Sequence, residues 1–191
     1  MKKLLFLSMA LFLTQMLSAQ KLAVKNNLIY DATLTPNLGL EIGLGKKTTL
    51  DLGGGYSWFD LDSDKNKKLR HWLAQPELRF WSCERFNGFF WGIHAHGGEF
   101  NIANIKLPFG MFKSLRDHRY EGYFYGGGIS VGYQWILGKR WNFEASIGGG
   151  YAHLDYDKYD GSDPCADCLK SAKKDYFGVT RATLSFIFFL R

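Results

Sequence analysis

The amino-acid sequence predicts an all-β protein: an eight-stranded antiparallel up-and-down transmembrane β-barrel with a polar, plugged lumen, preceded by a signal peptide. The first supporting observation is the segment from Tyr123 to Tyr151, which reads as two alternating strands joined by a turn at 138–140. Because side chains alternate faces along a strand, each of these strands has a large apolar face and a small polar face rich in glycine. The second observation is that Trp135 and Trp141 flank the turn, where the aromatic girdle of a membrane barrel would lie. The third is that short and long connections alternate along the chain.

The N-terminal residues have the features of a secretory signal. Lys2 and Lys3 precede an apolar stretch, and Ser18-Ala19 forms a plausible cleavage site. We therefore predict a signal peptide at 1–19 and one outer-membrane β-barrel domain at 20–191. The formal net charge of +6 is compatible with anionic lipid head groups. Export, and the lack of a compact basic motif, argue against a nucleic-acid partner.

Eight segments carry apolar residues mostly at alternate positions. In the first four strands these residues are Leu22, Val24, Leu28 and Tyr30; Leu38, Leu40, Ile42 and Leu44; Leu50, Leu52, Tyr56 and Trp58; and Trp72, Ala74, Leu78 and Phe80. In the last four they are Phe89, Trp91, Ile93 and Ala95; Tyr125, Ile129, Val131, Tyr133 and Trp135; Trp141, Phe143, Ala145 and Ile147; and Ala182, Leu184, Phe186, Phe188 and Leu190. Pro76 cannot donate to a sheet ladder, so we expect a bulge or local distortion in the fourth strand.

The connections between these strands differ in length. Three are short (45–47, 83–88 and 138–140), three are long (60–69, 101–119 and 157–174), and a turn near Pro36 joins the first two strands. Both ends of the barrel domain then lie on the side of the short turns, which is the periplasmic side of outer-membrane barrels. We expect the last strand over Tyr176–Arg191. Its alternating apolar positions end at Leu190. Small outer-membrane barrels usually have an aromatic residue at this last position, which the barrel-insertion machinery recognises.

A soluble eight-stranded ligand barrel is the simplest alternative architecture. It requires apolar side chains inside and polar side chains outside. The small faces of this chain carry glycine, Ser, Gln and charged residues, which suit a narrow polar interior. The membrane barrel is therefore favoured.

The inward faces carry charges of both signs. An eight-stranded barrel has an interior about wide enough for side chains to fill, and unpaired buried charges are costly. We interpret the inward set as a paired, hydrogen-bonded lumen network that stabilises the barrel; a gated pore or a proton path is the alternative. The predicted members are Lys25, Glu41, Asp51, Glu77, Arg79, His94, His96, Glu144 and Arg181.

His94 and His96 have a spacing that is common for paired metal ligands, and Glu77 or Glu144 could complete such a site. No further ligands are evident, so we favour a place in the lumen network and predict no metal and no cofactor.

The cysteines suggest a disulfide. Cys165 and Cys168 lie in the last long connection, and in an exported protein a disulfide between them is the leading interpretation. The two cysteines could instead supply half of the ligands of a zinc site, but no second pair of ligands is evident. A redox motif is disfavoured because nothing nearby resembles the strand-and-helix setting that tunes such a thiolate. Cys83 lies in a turn at the opposite end, so we expect a free thiol.

The alternative functions are an enzyme that modifies lipid at the outer leaflet and a small-solute pore. A lipid-modifying enzyme needs a nucleophile and a base near the outer rim. His153 with Asp155 is the only nearby pair of a histidine and an acid, and no serine lies in obvious register. We therefore predict no catalytic residues and no enzyme activity.

Several segments resemble a known family. They are Lys25–Asp31, Pro36–Glu41, Gln75–Trp81, Gly92–Gly98 and Gly127–Trp141, together with the Cys165/Cys168 pair, Tyr176–Gly178 and Thr180–Ala182. In combination they are similar to the uncharacterised Bacteroidota family catalogued as domain of unknown function 3575, over nearly all of 20–191. Val179 departs from the pattern, since the family often has Pro after the glycine. The resemblance implies an outer-membrane barrel, in a family with some members encoded beside fimbrial subunits and no established catalytic residues.

We therefore expect an integral outer-membrane protein with a structural or surface-interaction role through its three long loops. Its expected partners are outer-membrane lipid and lipopolysaccharide, the barrel-insertion machinery, and a surface protein partner. A link to fimbriae follows from the resemblance alone.

Overall fold

The computed structural model describes residues 21–62, 67–103, 118–160 and 168–190. Its strands in chain order are β1 (Leu22–Asn27), β2 (Asn37–Gly43), β3 (Thr48–Asp62), β4 (Lys67–Trp81), β5 (Gly88–Ala103), β6 (His118–Ile136), β7 (Trp141–Asp160) and β8 (Cys168–Phe189), and a short helix α1 (Leu28–Ala32) follows β1. The predicted signal peptide at 1–19 lies outside the described residues. Within these ranges no helix has the length and apolar character needed to cross a membrane.

The eight strands form one closed antiparallel sheet. Each strand pairs with its neighbour in chain order, and β1 pairs with β8 in a register that sets Val24 opposite Phe188. The predicted number, order and direction of the strands are confirmed. Closure leaves no free edge, so every strand has a partner on both sides for its backbone groups.

The two faces of the closed sheet differ in polarity. Arg79 and Glu144 are both fully buried, whereas Ile129 and Ile147 are exposed by 68% and 56%. Contacts between β4 and β7, which are not neighbours in the ring, show that the buried side chains meet across the interior. The polar faces therefore point inward and the apolar faces point outward.

The two ends of the ring also differ. We call the end that carries the connections 44–47, 82–87 and 137–140 the short-turn end, and the opposite end the far end. The start of β1 and the finish of β8 lie at the short-turn end, where Ala23 pairs with Phe189.

The first strand is shorter than predicted. Leu28 and Tyr30 lie in α1 rather than in β1, so their assignment to a strand is wrong. The Asn27 side chain accepts a hydrogen bond from the Ile29 amide at 3.2 Å, which caps the helix. Asparagine competes with the sheet for such local bonds, so the strand ends where the cap forms.

The strands flanking the long connections are longer than predicted. β3 runs to Asp62, β5 to Ala103 and β7 to Asp160, while β4, β6 and β8 begin at Lys67, His118 and Cys168. The predicted loops at 60–69, 101–119 and 157–174, and the start of the last strand at Tyr176, are therefore wrong at their ends. In these extensions polar and charged residues stand on both faces among a few apolar ones, so the apolar alternation that marks a strand in sequence is interrupted. Residues 63–66, 104–117 and 161–167 lie outside the described ranges.

Pro76 does not cause a bulge. It pairs in register with Leu52, and the ladder between β4 and β5 skips Gln75 and Pro76 and then resumes at Glu77 in the same register. The local interruption that we predicted is present, but the predicted bulge is not.

A bulge lies instead at Thr180. Gly148 pairs with Arg181 and Gly149 with Val179, so Thr180 has no partner on β7. As a result Thr180 and Arg181, although adjacent, both make side-chain contacts in the interior.

Candidate functional site

The interior of the ring contains a network of charged side chains centred on Arg79. Its guanidinium contacts four carboxylates: Glu77 at 2.6 Å, Glu144 at 2.7 and 3.0 Å, Asp51 at 2.8 Å and Glu41 at 3.1 Å. These acids come from β2, β3, β4 and β7. One cation therefore links four strands from inside the ring.

Lys25 and Arg181 complete the set of cations. The Lys25 ammonium lies 2.8 Å from Glu144, 3.1 Å from Glu41 and 3.2 Å from Asp51. Arg181 contacts Asp51 at 2.8 Å and Glu77 at 3.2 Å. Counted together, three cations face four carboxylates, so the network has one more acid than base.

Hydroxyl groups bind the second oxygens of two of the carboxylates. Thr49 donates to Glu41 at 2.7 Å, and the Ser130 hydroxyl bonds Glu77. Gly92 makes room for Glu77, because a Cβ at this position would lie 2.8 Å from a Glu77 carboxylate oxygen. The Oδ1 atom of Asp51 has no hydrogen-bond partner among the described residues. Donors to a buried carboxylate offset the cost of burying its charge, so these neutral groups are part of the network.

His94 and His96 lie on the far-end side of the charged network and are also buried. His94 Nε2 is 2.9 Å from the Thr180 hydroxyl, and the two imidazole ring centroids are 5.7 Å apart. Their Nδ1 atoms have no hydrogen-bond partner among the described residues. The two acids considered as metal partners, Glu77 and Glu144, are both bound by Arg79. Within the described part of the chain no group of three or more candidate ligands comes together.

The interior leaves little room for a solute. A cavity lined by Lys25, Tyr30, Asp51, Gln75 and Arg181 has a volume of about 30 Å³. That is about the space of one water molecule. A pore through this interior would require the charged side chains to move apart.

The short-turn end is closed by an apolar cluster. Phe86, from the turn between β4 and β5, is 3% exposed and packs with Ala23 and Ile187. Its carbonyl accepts a hydrogen bond from the Asn142 amide at 3.0 Å. The ring of Phe90 packs between this cluster and the charges, with the Arg79 guanidinium carbon 4.4 Å from its centroid.

The extended strands carry a ladder of polar side chains on their outer face at the far end. Asp155 accepts a hydrogen bond from the Tyr123 hydroxyl at 3.0 Å and pairs with Lys173 at 3.0 Å. Hydrogen bonds from Lys173 and Tyr123 hold the pKa of the Asp155 carboxyl below its ordinary value. His153 Nδ1 lies 2.6 Å from Asp175, which also accepts a hydrogen bond from the Tyr151 hydroxyl at 2.7 Å. The predicted pair of His153 with Asp155 is therefore wrong, because cross-strand neighbours lie closer than residues two apart on one strand.

Two of the three cysteines, Cys83 and Cys168, lie among the described residues. Cys168 begins β8 and is exposed, whereas Cys165 lies outside the described residues, so the disulfide stays a prediction. Cys83 is exposed in the turn between β4 and β5, at the end of the ring opposite Cys168.

All nine residues predicted for the lumen are buried, and seven of them form the charged network. The sequence reasoning missed Phe86 and Thr180. Gln75, which alternation places on the same inward face as Glu77 and Arg79, accepts a hydrogen bond from Arg181 at 2.8 Å. Phe86 reaches the interior from a turn, and Thr180 reaches it because of the bulge in β8. Alternation along a strand predicts neither position.

The chain matches the model of one protein family over residues 4–190, and the family is described as a protein of unknown function (DUF3575). No curated protein and no solved structure matches it.

Proposed function

We propose that this chain, which belongs to the DUF3575 family of proteins of unknown function, is an integral outer-membrane β-barrel protein. In this proposal the filled interior is structural, and the far end is the surface that meets other molecules outside the cell. The predicted signal peptide at 1–19 would bring the chain to the membrane.

One observation carries the proposal: ionised groups fill the interior, and large apolar side chains cover the exterior. Ile129 and Val131 on β6 and Ile147 on β7 are all exposed on the outer face. Exposing such a continuous apolar face to water is unfavourable, whereas contact with the hydrocarbon of a membrane carries no such penalty. The closed sheet also pairs the backbone N–H and C=O groups with one another, which is required in hydrocarbon because lipid chains form no hydrogen bonds.

The height of the apolar exterior supports the same conclusion. On β6 the exposed aromatic residues Tyr125 and Trp135 are ten positions apart, and on β7 Tyr151 and Trp141 have the same separation. Ten residues at about 3.3 Å each, tilted by about 40°, rise about 25 Å, which is the usual height of the apolar band of such barrels. Aromatic residues would then lie at both membrane interfaces.

The polar ladder extends this pattern beyond the band. Asp155 and Lys173 lie on the outer face past Tyr151, at the side where the connections are long. Charged residues on an outward face are unfavourable in hydrocarbon and favourable in water. The strand extensions would therefore project from the membrane into water.

The first test is fractionation of cell membranes followed by gel electrophoresis with and without heating. We expect the protein in the outer-membrane fraction, with a folded form that migrates faster before boiling than after. A periplasmic protein without a mobility shift would refute the membrane assignment and would leave a soluble protein with an exposed apolar surface to be explained.

A second test addresses the surface role. Replacing residues 104–117 by a short Gly-Ser linker should leave heat-modifiability unchanged and should abolish surface assembly of the fimbrial or other surface partner expected from the family resemblance. Unchanged assembly in this variant, and in the matching replacement of 161–167, would leave the barrel with a structural role only.

A lipid-modifying enzyme remains the second candidate because of one specific arrangement. His153, Asp175 and Tyr151 form a hydrogen-bonded group on the outward face, at the level where lipid head groups would lie in the proposed membrane. A histidine bonded to a carboxylate can act as a general base.

A further inference from the structure

The short-turn end is strongly basic. The three connections at this end, together with the residue before β1, carry six cations and one acid, Glu84; the cations are Lys21, Lys46, Lys47, Arg85, Lys139 and Arg140. Within the described part of the chain none of the six forms an ion pair with a carboxylate, whereas at the far end Lys173 pairs with Asp155 and Arg70 with Asp60. The positive charge at the short-turn end is therefore not neutralised by the described protein.

A groove of about 370 Å³ opens between the β4–β5 and β6–β7 turns at this end. Four of the six cations line it, and its apolar lining includes Phe86, Ile136 and Leu190. Ile136 and Leu190 are exposed at this end, and Leu190 continues the alternation of the exposed residues Leu184 and Phe186 on the outer face of β8. The groove thus joins apolar side chains to four cations and one carboxylate, Glu84.

Arg85 is the cation that the fold positions most firmly. Its Nη1 donates to the Gly45 carbonyl at 3.2 Å and to the Gly43 carbonyl at 3.5 Å. These are its side-chain hydrogen bonds among the described residues, so Nε and Nη2 stay available for a ligand. A guanidinium held in this way can bind a phosphate through two parallel N–H groups.

We propose that this groove binds the phosphate head group of an anionic phospholipid, with the lipid chains lying along the apolar outer face. This inference rests on the proposed membrane function. Clusters of Lys and Arg beside a membrane surface attract anionic lipid. The apolar wall favours a lipid over free phosphate or an anionic polymer, because neither of those has a chain to cover Ile136 and Leu190. The bound lipid would fix the depth and the orientation of the barrel.

The test uses the full mature chain, folded in detergent and incubated with equal amounts of phosphatidylglycerol and phosphatidylcholine that have the same acyl chains. Native mass spectrometry then counts the lipids that stay bound. We expect phosphatidylglycerol to be preferred by roughly tenfold, and the double variant Lys139→Gln/Arg140→Gln to lose most of this preference. The control Lys170→Gln/Lys174→Gln removes the same charge from the far end and should keep it.

Three results would overturn the inference: no preference in the native chain, an equal loss in the control variant, or displacement of the lipid by an equal concentration of inorganic phosphate. Cosedimentation with peptidoglycan that depends on Lys139 and Arg140, without a lipid preference, would also overturn it in favour of an anionic polymer. Heat-modifiability is measured on the same samples. A chain that never forms the compact barrel refutes the proposed function, whereas a folded barrel without lipid preference refutes only this inference.

Discussion

Arg79 on β4 and Glu144 on β7 face each other across the interior of the ring, joined by two parallel hydrogen bonds of 2.7 and 3.0 Å. Two strands lie between β4 and β7 in one direction around the sheet and four in the other. Both side chains are fully buried. The pair therefore ties opposite walls together, and each charge offsets the cost of burying the other away from water.

Removing Arg79 should be strongly destabilising. Arg79→Met leaves four carboxylates with too few cations, and breaking a buried pair in this way costs roughly 3–5 kcal/mol. Urea unfolding of the barrel refolded in lipid vesicles measures the loss. Adding Glu144→Gln to Arg79→Met should restore part of it. The control is Arg70→Met, which breaks the exposed pair with Asp60 and should change the free energy of unfolding far less than Arg79→Met, because solvent screens exposed ion pairs. Similar losses at Arg79 and Arg70 would contradict a structural role for the interior network.

Phe86→Ala should destabilise the barrel by roughly 3–5 kcal/mol, because it removes a buried aromatic ring and leaves a cavity at the short-turn end. Planar-bilayer conductance should stay absent, since the charged network still fills the interior. Cys83→Ser, an exposed position in the same turn, is the matched control and should not change stability. Conductance in Phe86→Ala would show that the Phe86 cluster, rather than the charges, closes the lumen.

Ile147→Arg tests whether the outer face of the sheet meets lipid. Ile147 lies midway along the apolar band, where an arginine should cost about 2–4 kcal/mol in a bilayer. Ser171→Arg, in the polar ladder, should cost no more than about 1 kcal/mol. Both values come from urea unfolding in vesicles. Equal tolerance at the two positions would contradict the proposed position of the membrane.

The polar ladder should respond to acid. Because its folded pKa is lowered, the Asp155 carboxylate stabilises the ladder above its unfolded pKa of about 3.9, and this contribution is lost as the pH falls through the folded value. An NMR titration of the Asp155 carboxyl carbon measures the midpoint. Lys173→Gln should move the midpoint upward, and Lys170→Gln should not. A midpoint insensitive to Lys173 would show that the pair does not persist in solution.

His153→Ala tests the second candidate function. If the His153–Asp175 pair only stabilises the ladder, the lipid A of cells that express the variant should match that of cells that express the native chain. Mass spectrometry of extracted lipid A checks this. A lipid species that is lost in His153→Ala and in Asp175→Asn, but retained in Asp157→Asn, would favour the enzyme.

Alternation was sufficient to predict most of the interior. On β2, β3 and β4 the positions that alternate with apolar residues include Glu41, Asp51, Glu77 and Arg79. All four are buried, as predicted. Alternation failed where a bulge or a helix cap interrupted the two-residue period of the strand. The bulge at Thr180 moved two adjacent side chains inward, and the Asn27 cap ended β1 early. It also gave no clear signal in the strand extensions, where polar and charged residues stand on both faces.

Local alternation was enough to predict the number of strands, their order and the sorting of charged and apolar side chains onto opposite faces, because each strand shows a period of two in its own residues. Which charges pair could be read only from the folded ring. Arg79 meets Glu144, and His153 meets Asp175 rather than Asp155, because such contacts depend on the register between strands and on closure of the ring. The same holds for Phe86, since a turn residue reaches the interior only after β4 and β5 have closed over the end of the sheet.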